Sequence, residues 1–148
     1  MTDVFSAYRL LIADVYELAG LSRRVSEHEA GAQGTTAARW HVLSVVSDDP
    51  ATVPAIARRL GQARQSVQRV VDDLVETEWL SMTTNPAHRR SPLVAITDSG
   101  TRSLEQLWRT SEPRRRDALA RSGVDAAELR HARACLRQLT AALKGGSA

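Results

Sequence analysis

The sequence predicts a mainly α-helical protein that contains one small β-hairpin. Apolar residues recur at helical spacing over most of the 148 residues. In two short segments the pattern changes to that of strands, and a loop with two prolines separates them. The composition agrees with this fold class, because only 4% of the residues are aromatic while alanine, leucine and arginine are abundant.

The first four predicted elements are helices. The first covers residues 4–29, has a wide apolar stripe, and is expected to end at the glycine-containing segment 31–34. Thr36 is the predicted N-cap of a second helix over residues 37–46. Thr52 is the predicted cap of a short third helix that ends at Leu60, before Gly61.

The fourth helix is predicted from Arg64 to about Glu78. Its apolar residues follow the i, i+3, i+4, i+7 pattern of one buried stripe, and they are Val67, Val70, Val71 and Leu74. A short helix, a glycine turn and a second helix form a helix-turn-helix.

Two strands are predicted next, over residues 79–84 and 93–97. The loop between them, 85–92, is basic and is stiffened by its prolines. A hairpin that follows a helix-turn-helix is a wing, so the sequence predicts a winged helix-turn-helix.

The C-terminal part is again helical. Thr97 or Asp98 is expected to cap a fifth helix, in which Pro113 must cause a kink or a break because it removes a backbone donor. Asp125 and Glu128 have the spacing of a capping box for a sixth helix that reaches Leu143, and the tail 145–148 is expected to fray.

We expect one domain over residues 1–148. The winged-helix region is predicted at about 36–97, and dimerisation helices at about 4–30 and 98–144. The apolar stripes of the first, fifth and sixth helices are too wide for so small a domain. A second copy of the chain is the simplest partner that would cover them.

The fourth helix has the residues of a DNA reader on its outer face. Its N-terminal half is basic and its C-terminal half acidic, which suits a recognition helix that enters the major groove N-terminal end first. The side chains predicted to read bases are Arg64, Gln65, Ser66, Gln68 and Arg69. Taken alone, this pattern fits a solvated amphipathic helix equally well.

The wing supplies a second set of candidate DNA contacts. Arg89 and Arg90 are placed at its tip, next to His88 and Ser91, where they could enter a minor groove or hold phosphates. The two sets together predict a DNA-binding surface between Ala55 and Ser91. The net charge of +3 agrees only if it is concentrated on that face.

Other kinds of site find little support. There is no Ser/His/Asp arrangement and no phosphate-binding glycine motif, so an enzyme is not expected. The histidines lack metal-ligand spacing, so we expect neither metal nor cofactor. Cys135 lies among leucines at helical spacing and is interpreted as a packed apolar residue.

A single cysteine, no apolar run of membrane length and no signal peptide favour a cytoplasmic protein that does not bind membranes.

Two segments resemble the multiple-antibiotic-resistance-regulator (MarR) family. They are residues 54–67 (PAIARRLGQARQSV) and residues 85–100 (NPAHRRSPLVAITDSG), and the helix order extends the resemblance to nearly the whole chain. The resemblance implies a dimeric winged-helix regulator that binds a near-palindromic operator. Many members release DNA when they bind small aromatic, anionic ligands. It also implies that the recognition helix begins at Arg64 and that Arg90 is the wing arginine that enters the minor groove.

Three residues depart from the family pattern. His88 stands where an Asp usually braces the wing, and a histidine cannot pair with a cation in the same way. Ala63 replaces the usual Ser or Thr cap of the recognition helix, which loses roughly 1 kcal/mol of capping. Glu78 replaces a frequent glycine before the first wing strand.

The resemblance also implies a ligand site where the first, second and fifth helices meet. An arginine with aromatic neighbours suits an aromatic carboxylate. The candidate residues are Tyr8, Arg39, Trp40, His41 and Trp108. The alternative interpretation is that the tryptophans belong to the ordinary core.

The sequence therefore predicts a homodimeric, sequence-specific transcriptional regulator, a repressor that a small ligand releases from double-stranded operator DNA. Two alternatives stay open. One is a nucleoid-type architectural DNA-binding protein without an effector. The other is a winged-helix protein-interaction module whose basic face binds an acidic partner.

Overall fold

The computed structural model describes residues 3–145, and its elements follow the predicted order. In this part of the chain the helices are α1 (Val4–Ala32), α2 (Ala37–Val45), α3 (Val53–Leu60), α4 (Arg64–Glu76), α5 (Asp98–Ser122) and α6 (Ala126–Gly145). The strands are β1 (Leu80–Thr83) and β2 (Leu93–Ile96), which pair antiparallel. The predicted fold class, mainly α with a small β-hairpin in a winged helix-turn-helix, is confirmed.

Side chains cap the helices where the sequence predicts caps. Thr36 Oγ1 accepts a hydrogen bond from the Arg39 amide at 3.2 Å, and Thr52 Oγ1 accepts one from the Ala55 amide at 3.3 Å. For α5 the alternative between Thr97 and Asp98 is resolved in favour of Thr97 (the Gly100 amide donates to Thr97 Oγ1 at 3.0 Å).

The capping box of α6 is also confirmed. Asp125 Oδ1 accepts from the Glu128 amide at 2.8 Å, and Glu128 Oε2 accepts from the Asp125 amide at the same distance. Two backbone donors at the start of the helix are therefore satisfied reciprocally.

Two expectations about helix ends were wrong. α1 continues through Gly31 to Ala32, and the turn comes instead at Gly34, which has a φ of +72°. α4 ends at Glu76, because Glu78 has a φ of +61° and cannot be helical. At Pro113, where a kink or a break is predicted, α5 continues without a break. A proline removes only one backbone donor, and in the same stretch the ion pairs Arg116–Glu112 and Arg121–Asp117 support the helix. The tail, expected to fray, lies outside the described residues except for Gly145.

The chain divides after Thr110 into two compact units. The first unit has one hydrophobic core, to which α2, α3, α4, the hairpin and the start of α5 contribute. Its largest fully buried side chains are Trp40, Leu43, Ile56, Leu74, Leu80, Val42, Val46, Val67, Val71 and Val94. The core thus lies directly behind α3, α4 and the hairpin, and it fixes which of their faces point outward.

The long helices leave much of their apolar surface uncovered. On α1, Phe5, Tyr16 and Leu18 are 64%, 74% and 68% exposed. In the second unit no described residue of α6 is buried, and Leu143 is 60% exposed. Apolar stripes this open are typical of helices that pack against another chain.

Candidate nucleic-acid interface

α3 and α4 are joined by a turn of fixed geometry. Gly61 has a φ of +64°, a left-handed conformation that glycine adopts without steric cost. The Gln62 amide donates to the Ala57 carbonyl at 2.9 Å, which closes the end of α3. Because the turn is short and closed, the direction in which α4 leaves α3 is fixed.

The buried face of α4 determines what its outer face presents. Val67, Val71 and Leu74 are completely buried, and Val70 is partly buried, as their spacing predicts. The opposite face therefore points to solvent. Of the predicted base-reading residues, four are exposed and one, Gln68, is half-buried; the exposed ones are Arg64, Gln65, Ser66 and Arg69.

A cleft of about 320 Å³ separates the start of α4 from the wing. Its lining comes from α3, α4 and the hairpin, and consists of Val53, Pro54, Arg64, Gln65, Gln68, Met82, Arg90, Ser91 and Pro92. Five of the nine predicted DNA-contacting residues thus line one space. The other four are exposed outside it: Ser66, Arg69, His88 and Arg89.

The wing is organised by a buried carboxamide that the sequence analysis missed. Asn85 is only 8% exposed, and its Oδ1 accepts from the Ala87 amide at 3.1 Å. The His88 amide donates to the Asn85 carbonyl at 3.2 Å, and the Ser91 amide to the His88 carbonyl at 3.1 Å. The Asn-Pro step signalled a loop, and the preference of Asn for turns that its own side chain closes could have identified this role.

His88 contributes to the wing through its backbone. Its imidazole is exposed, and within residues 3–145 that ring has no hydrogen-bond or ion-pair partner. The side-chain brace that the family pattern places at this position is therefore absent from the described part of the chain, and Asn85 supplies a brace from the base of the wing.

A backbone bridge ties the hairpin to the start of α3. The Ala51 amide donates to the Val94 carbonyl at 3.0 Å, and the Val94 amide donates back at 2.8 Å. Ala51 comes two residues before α3, so this bridge links the strand that follows the wing directly to the helix-turn-helix. A single bridged residue has no periodic pattern, so the bridge could not be predicted from the sequence.

The wing and α5 meet at a crowded junction. Thr97 Oγ1 donates to the Glu78 carbonyl at 2.7 Å and lies 3.1 Å from the Trp79 carbonyl oxygen. A Cβ at Gly100 would lie 2.1 Å from that Trp79 oxygen, so only glycine fits. The junction holds β1 and the end of β2 against the first turn of α5.

Two carboxylates of α4 contact other side chains. Asp72 Oδ1 accepts from Gln68 Nε2 at 2.8 Å. Asp73 Oδ2 lies 3.7 Å from Arg39 Nη2 of α2. The acidic half of the helix thus makes specific contacts within the first unit.

Comparisons with known proteins agree with this architecture. A family model described as "MarR family" matches residues 33–91, which contain α2, α3, α4, β1 and the wing. An uncharacterized protein of Mycobacterium tuberculosis (strain H37Rv) is 47% identical over 137 residues, which cover 90% of this chain and 92% of that protein. The chain belongs to the MarR family.

Solved structures share the MarR fold over nearly the whole chain. BldR of Sulfolobus solfataricus is 17% identical with a TM-score of 0.73, covering 97% of this chain and 99% of its own. A mutant of E. coli MarR complexed with operator DNA is 21% identical with a TM-score of 0.65, covering 93% and 99%. MarR of Staphylococcus aureus, in complex with salicylate and kanamycin, is 11% identical with a TM-score of 0.70, covering 95% of each chain. Family and fold are those of transcription regulators and not of enzymes.

The residues predicted for a MarR-type ligand site lie in several environments. Trp40 is buried, and its ring meets that of Trp108 edge to face with 5.1 Å between centroids. Arg39 faces Asp73 of α4. His41 lines a separate cleft of about 500 Å³. Tyr8 is paired with Phe5 on α1, with 6.3 Å between ring centroids. The structure therefore brings the two tryptophans together, and it places the other candidates against other neighbours.

The remaining candidate chemistry is sparse. Cys135 is half-buried, with its Sγ 3.7 Å from His131 Nε2 one turn earlier on α6. Residues 3–145 contain no group of three or more His, Cys, Asp or Glu that could hold a metal ion. No helix in that range has the length and apolar character needed to cross a membrane.

Proposed function

We propose that this protein is a homodimeric, sequence-specific transcriptional regulator, and that it represses by occupying an operator from which a small aromatic or anionic ligand releases it. The observation that carries the proposal is the shared cleft, because Arg64, Gln65 and Gln68 of α4 face the same space as Arg90 of the wing. A recognition helix and a wing that open onto one space can contact adjacent grooves of one duplex.

In this proposal the basic end of α4 enters the major groove. Arg64 and Arg69 can bind guanine or phosphate. Gln65 and Gln68 can bind adenine, and Ser66 can hydrogen-bond to more than one kind of base. The acidic residues follow from Asp72 onward, at the end that leaves the groove.

The wing acts on the neighbouring minor groove. Arg90 is the side chain that would enter it, while His88, Arg89 and Ser91 lie close enough in sequence to contact flanking phosphates. The Asn85 turn supports this role, because it limits the positions that the wing tip can take.

A second copy of the chain is proposed to cover the open apolar faces of α1, α5 and α6. Residues 36–97 then form the DNA-binding region, and 4–30 with 98–144 the dimerisation helices of a single domain. A two-fold dimer places its recognition helices in successive major grooves, so half-sites lie about 10 base pairs apart. The E. coli MarR complex with operator DNA supports operator binding, and the two-fold symmetry of a dimer favours a near-palindromic site.

Ligand release is proposed to act through Arg39. Its ion pair with Asp73 is long and partly exposed, so an anion could compete for the guanidinium and disturb the recognition helix directly. The salicylate bound to the S. aureus MarR structure supports this ligand class. If the proposal holds, salicylate releases operator DNA from the wild type and does so much less from Arg39→Gln; equal release from both proteins contradicts the role of Arg39.

Selection of bound sequences from a random DNA pool tests the DNA-binding proposal. The regulator predicts one enriched near-palindrome with half-sites about 10 base pairs apart. Weak enrichment without a consensus would indicate an architectural binder instead. No binding at low salt would indicate a protein-interaction module, and either result overturns the proposal.

A further inference from the structure

The Gln68–Asp72 pair lies on the outer face of the recognition helix, at the edge of the proposed DNA cleft. Gln68 lines that cleft, and its Nε2 donates to Asp72 Oδ1 at 2.8 Å. The two residues are four apart, so their side chains lie on the same face of the helix. The proposed DNA contacts give Asp72 no role, because its negative charge would repel phosphates.

We propose that Asp72 is a positioning residue that fixes the Gln68 carboxamide and makes it select adenine over guanine. This inference rests on the proposed DNA binding by α4. It assigns to Asp72 a part in specificity that acts through Gln68.

The orientation of the carboxamide follows from the charge of its partner. An ionised carboxylate can only accept hydrogen bonds, so the amide nitrogen of Gln68, and not its oxygen, must face Asp72. A glutamine without such a partner can turn about its last torsion and exchange its donor and acceptor edges. Asp72 removes one of the two orientations.

The groups left free on Gln68 match adenine. One N–H and the carbonyl oxygen remain, and the major-groove edge of adenine offers an acceptor at N7 and a donor at N6. Guanine offers two acceptors there, N7 and O6, so the Gln68 oxygen would meet another acceptor. A carboxamide released from Asp72 could give both of its N–H groups to guanine, and adenine selectivity would fall.

The experiment compares Asp72→Ala with two matched variants. Asp72→Asn keeps the shape of the side chain but can donate as well as accept, so it no longer determines which edge of Gln68 faces it. Glu76→Ala removes a carboxylate one turn further along the same face of α4, without touching Gln68. Affinity is measured on the selected operator with adenine or guanine at the base pair whose preference disappears in Gln68→Ala.

We expect Asp72→Ala to lower the adenine-over-guanine affinity ratio about 2- to 10-fold, the usual range for one hydrogen bond. Asp72→Asn should also lower the ratio, because both orientations of Gln68 become possible, and Glu76→Ala should leave it unchanged. An unchanged ratio in Asp72→Ala, or an equal fall in Glu76→Ala, overturns the inference while DNA binding stands. A wild type without sequence preference overturns both this inference and the proposed function.

Discussion

Glu78 carries the clearest local strain in the described chain. Its φ of +61° lies in the left-handed region, where a side chain costs roughly 1–2 kcal/mol and glycine costs almost nothing. A hydrogen bond from Thr97 Oγ1 to the Glu78 carbonyl stabilises this strained conformation. The family more often has glycine at this position, so this chain keeps the turn at some expense of stability.

Replacing Glu78 by glycine should therefore stabilise the protein. We expect the free energy of unfolding to rise by about 0.5–1 kcal/mol, after the greater freedom of glycine in the unfolded chain is subtracted. Urea unfolding measures the change. Glu105→Gly is the matched control, because the same substitution at an exposed position within α5 should destabilise by about 1 kcal/mol. Destabilisation by Glu78→Gly would show that the turn is not strained.

Gly100 is the opposite case, a residue that tolerates no side chain. A Cβ there would lie 2.1 Å from the Trp79 oxygen, so Gly100→Ala must displace backbone and should cost about 3 kcal/mol or more. Gly31→Ala, also in a helix but facing open space, should instead stabilise by about 0.5–1 kcal/mol. Thermal unfolding of both variants checks this, and a Gly100→Ala protein as stable as the wild type would contradict the crowding at the junction.

At the scale of elements, sequence periodicity and caps identified every helix and strand of the described chain. The stripe of α4, the Thr36 and Thr52 caps and the Asp125 capping box depend on residues close in sequence, so they could be predicted. The errors have a different origin. The end of α4 before Glu78 depends on the contact of Glu78 with Thr97, which lies 19 residues away and which local patterns do not contain.

In the candidate DNA-binding site, too, some features follow from local sequence patterns and others depend on contacts between distant segments. Outward-facing residues of α4 followed from its buried stripe, and Arg89 and Arg90 followed from the basic loop. The cleft that joins Arg64 to Arg90 could not be predicted, because it depends on the Ala51–Val94 bridge and the Thr97 junction. The Gln68–Asp72 contact needed a side-chain conformation as well as a spacing.

The wing is the element whose order depends most on one side chain. Asn85→Ala removes the acceptor of the Ala87 amide and leaves a gap at the base of the wing, so we expect a loss of about 1 kcal/mol. Hydrogen exchange should accelerate at Ala87 and His88, while amides of α4 keep their protection. Thr84→Ala, an exposed neighbour, is the control. Unchanged exchange at Ala87 would mean that Asn85 does not organise the wing.

At the level of the whole molecule, the proposed regulator requires a second copy of the chain. Leu136 of α6 is 39% exposed and lies on the apolar stripe. A charge there should weaken the proposed dimer, so Leu136→Glu is expected to sediment as a monomer at micromolar concentration and to bind operator far more weakly. Gln138→Glu introduces the same charge off the stripe and should remain dimeric. A dimeric Leu136→Glu would place the interface elsewhere.

In the proposed function, the recognition helix and the wing form one DNA-reading surface. The affinity of Arg90→Ala for the selected operator, measured over a range of salt concentrations, tests this directly. The matched control is Arg102→Ala, which removes the same charge from an exposed residue on a different cleft. Circular dichroism and sedimentation establish that both variants stay folded and dimeric.

We predict that Arg90→Ala binds the operator at least tenfold more weakly. The slope of log affinity against log salt should fall in magnitude by about 2, because each protomer loses one cation that displaces counterions from the DNA. Arg102→Ala should match the wild type in operator affinity and in salt slope. Wild-type affinity and slope in Arg90→Ala would contradict the claim that the wing shares in DNA binding.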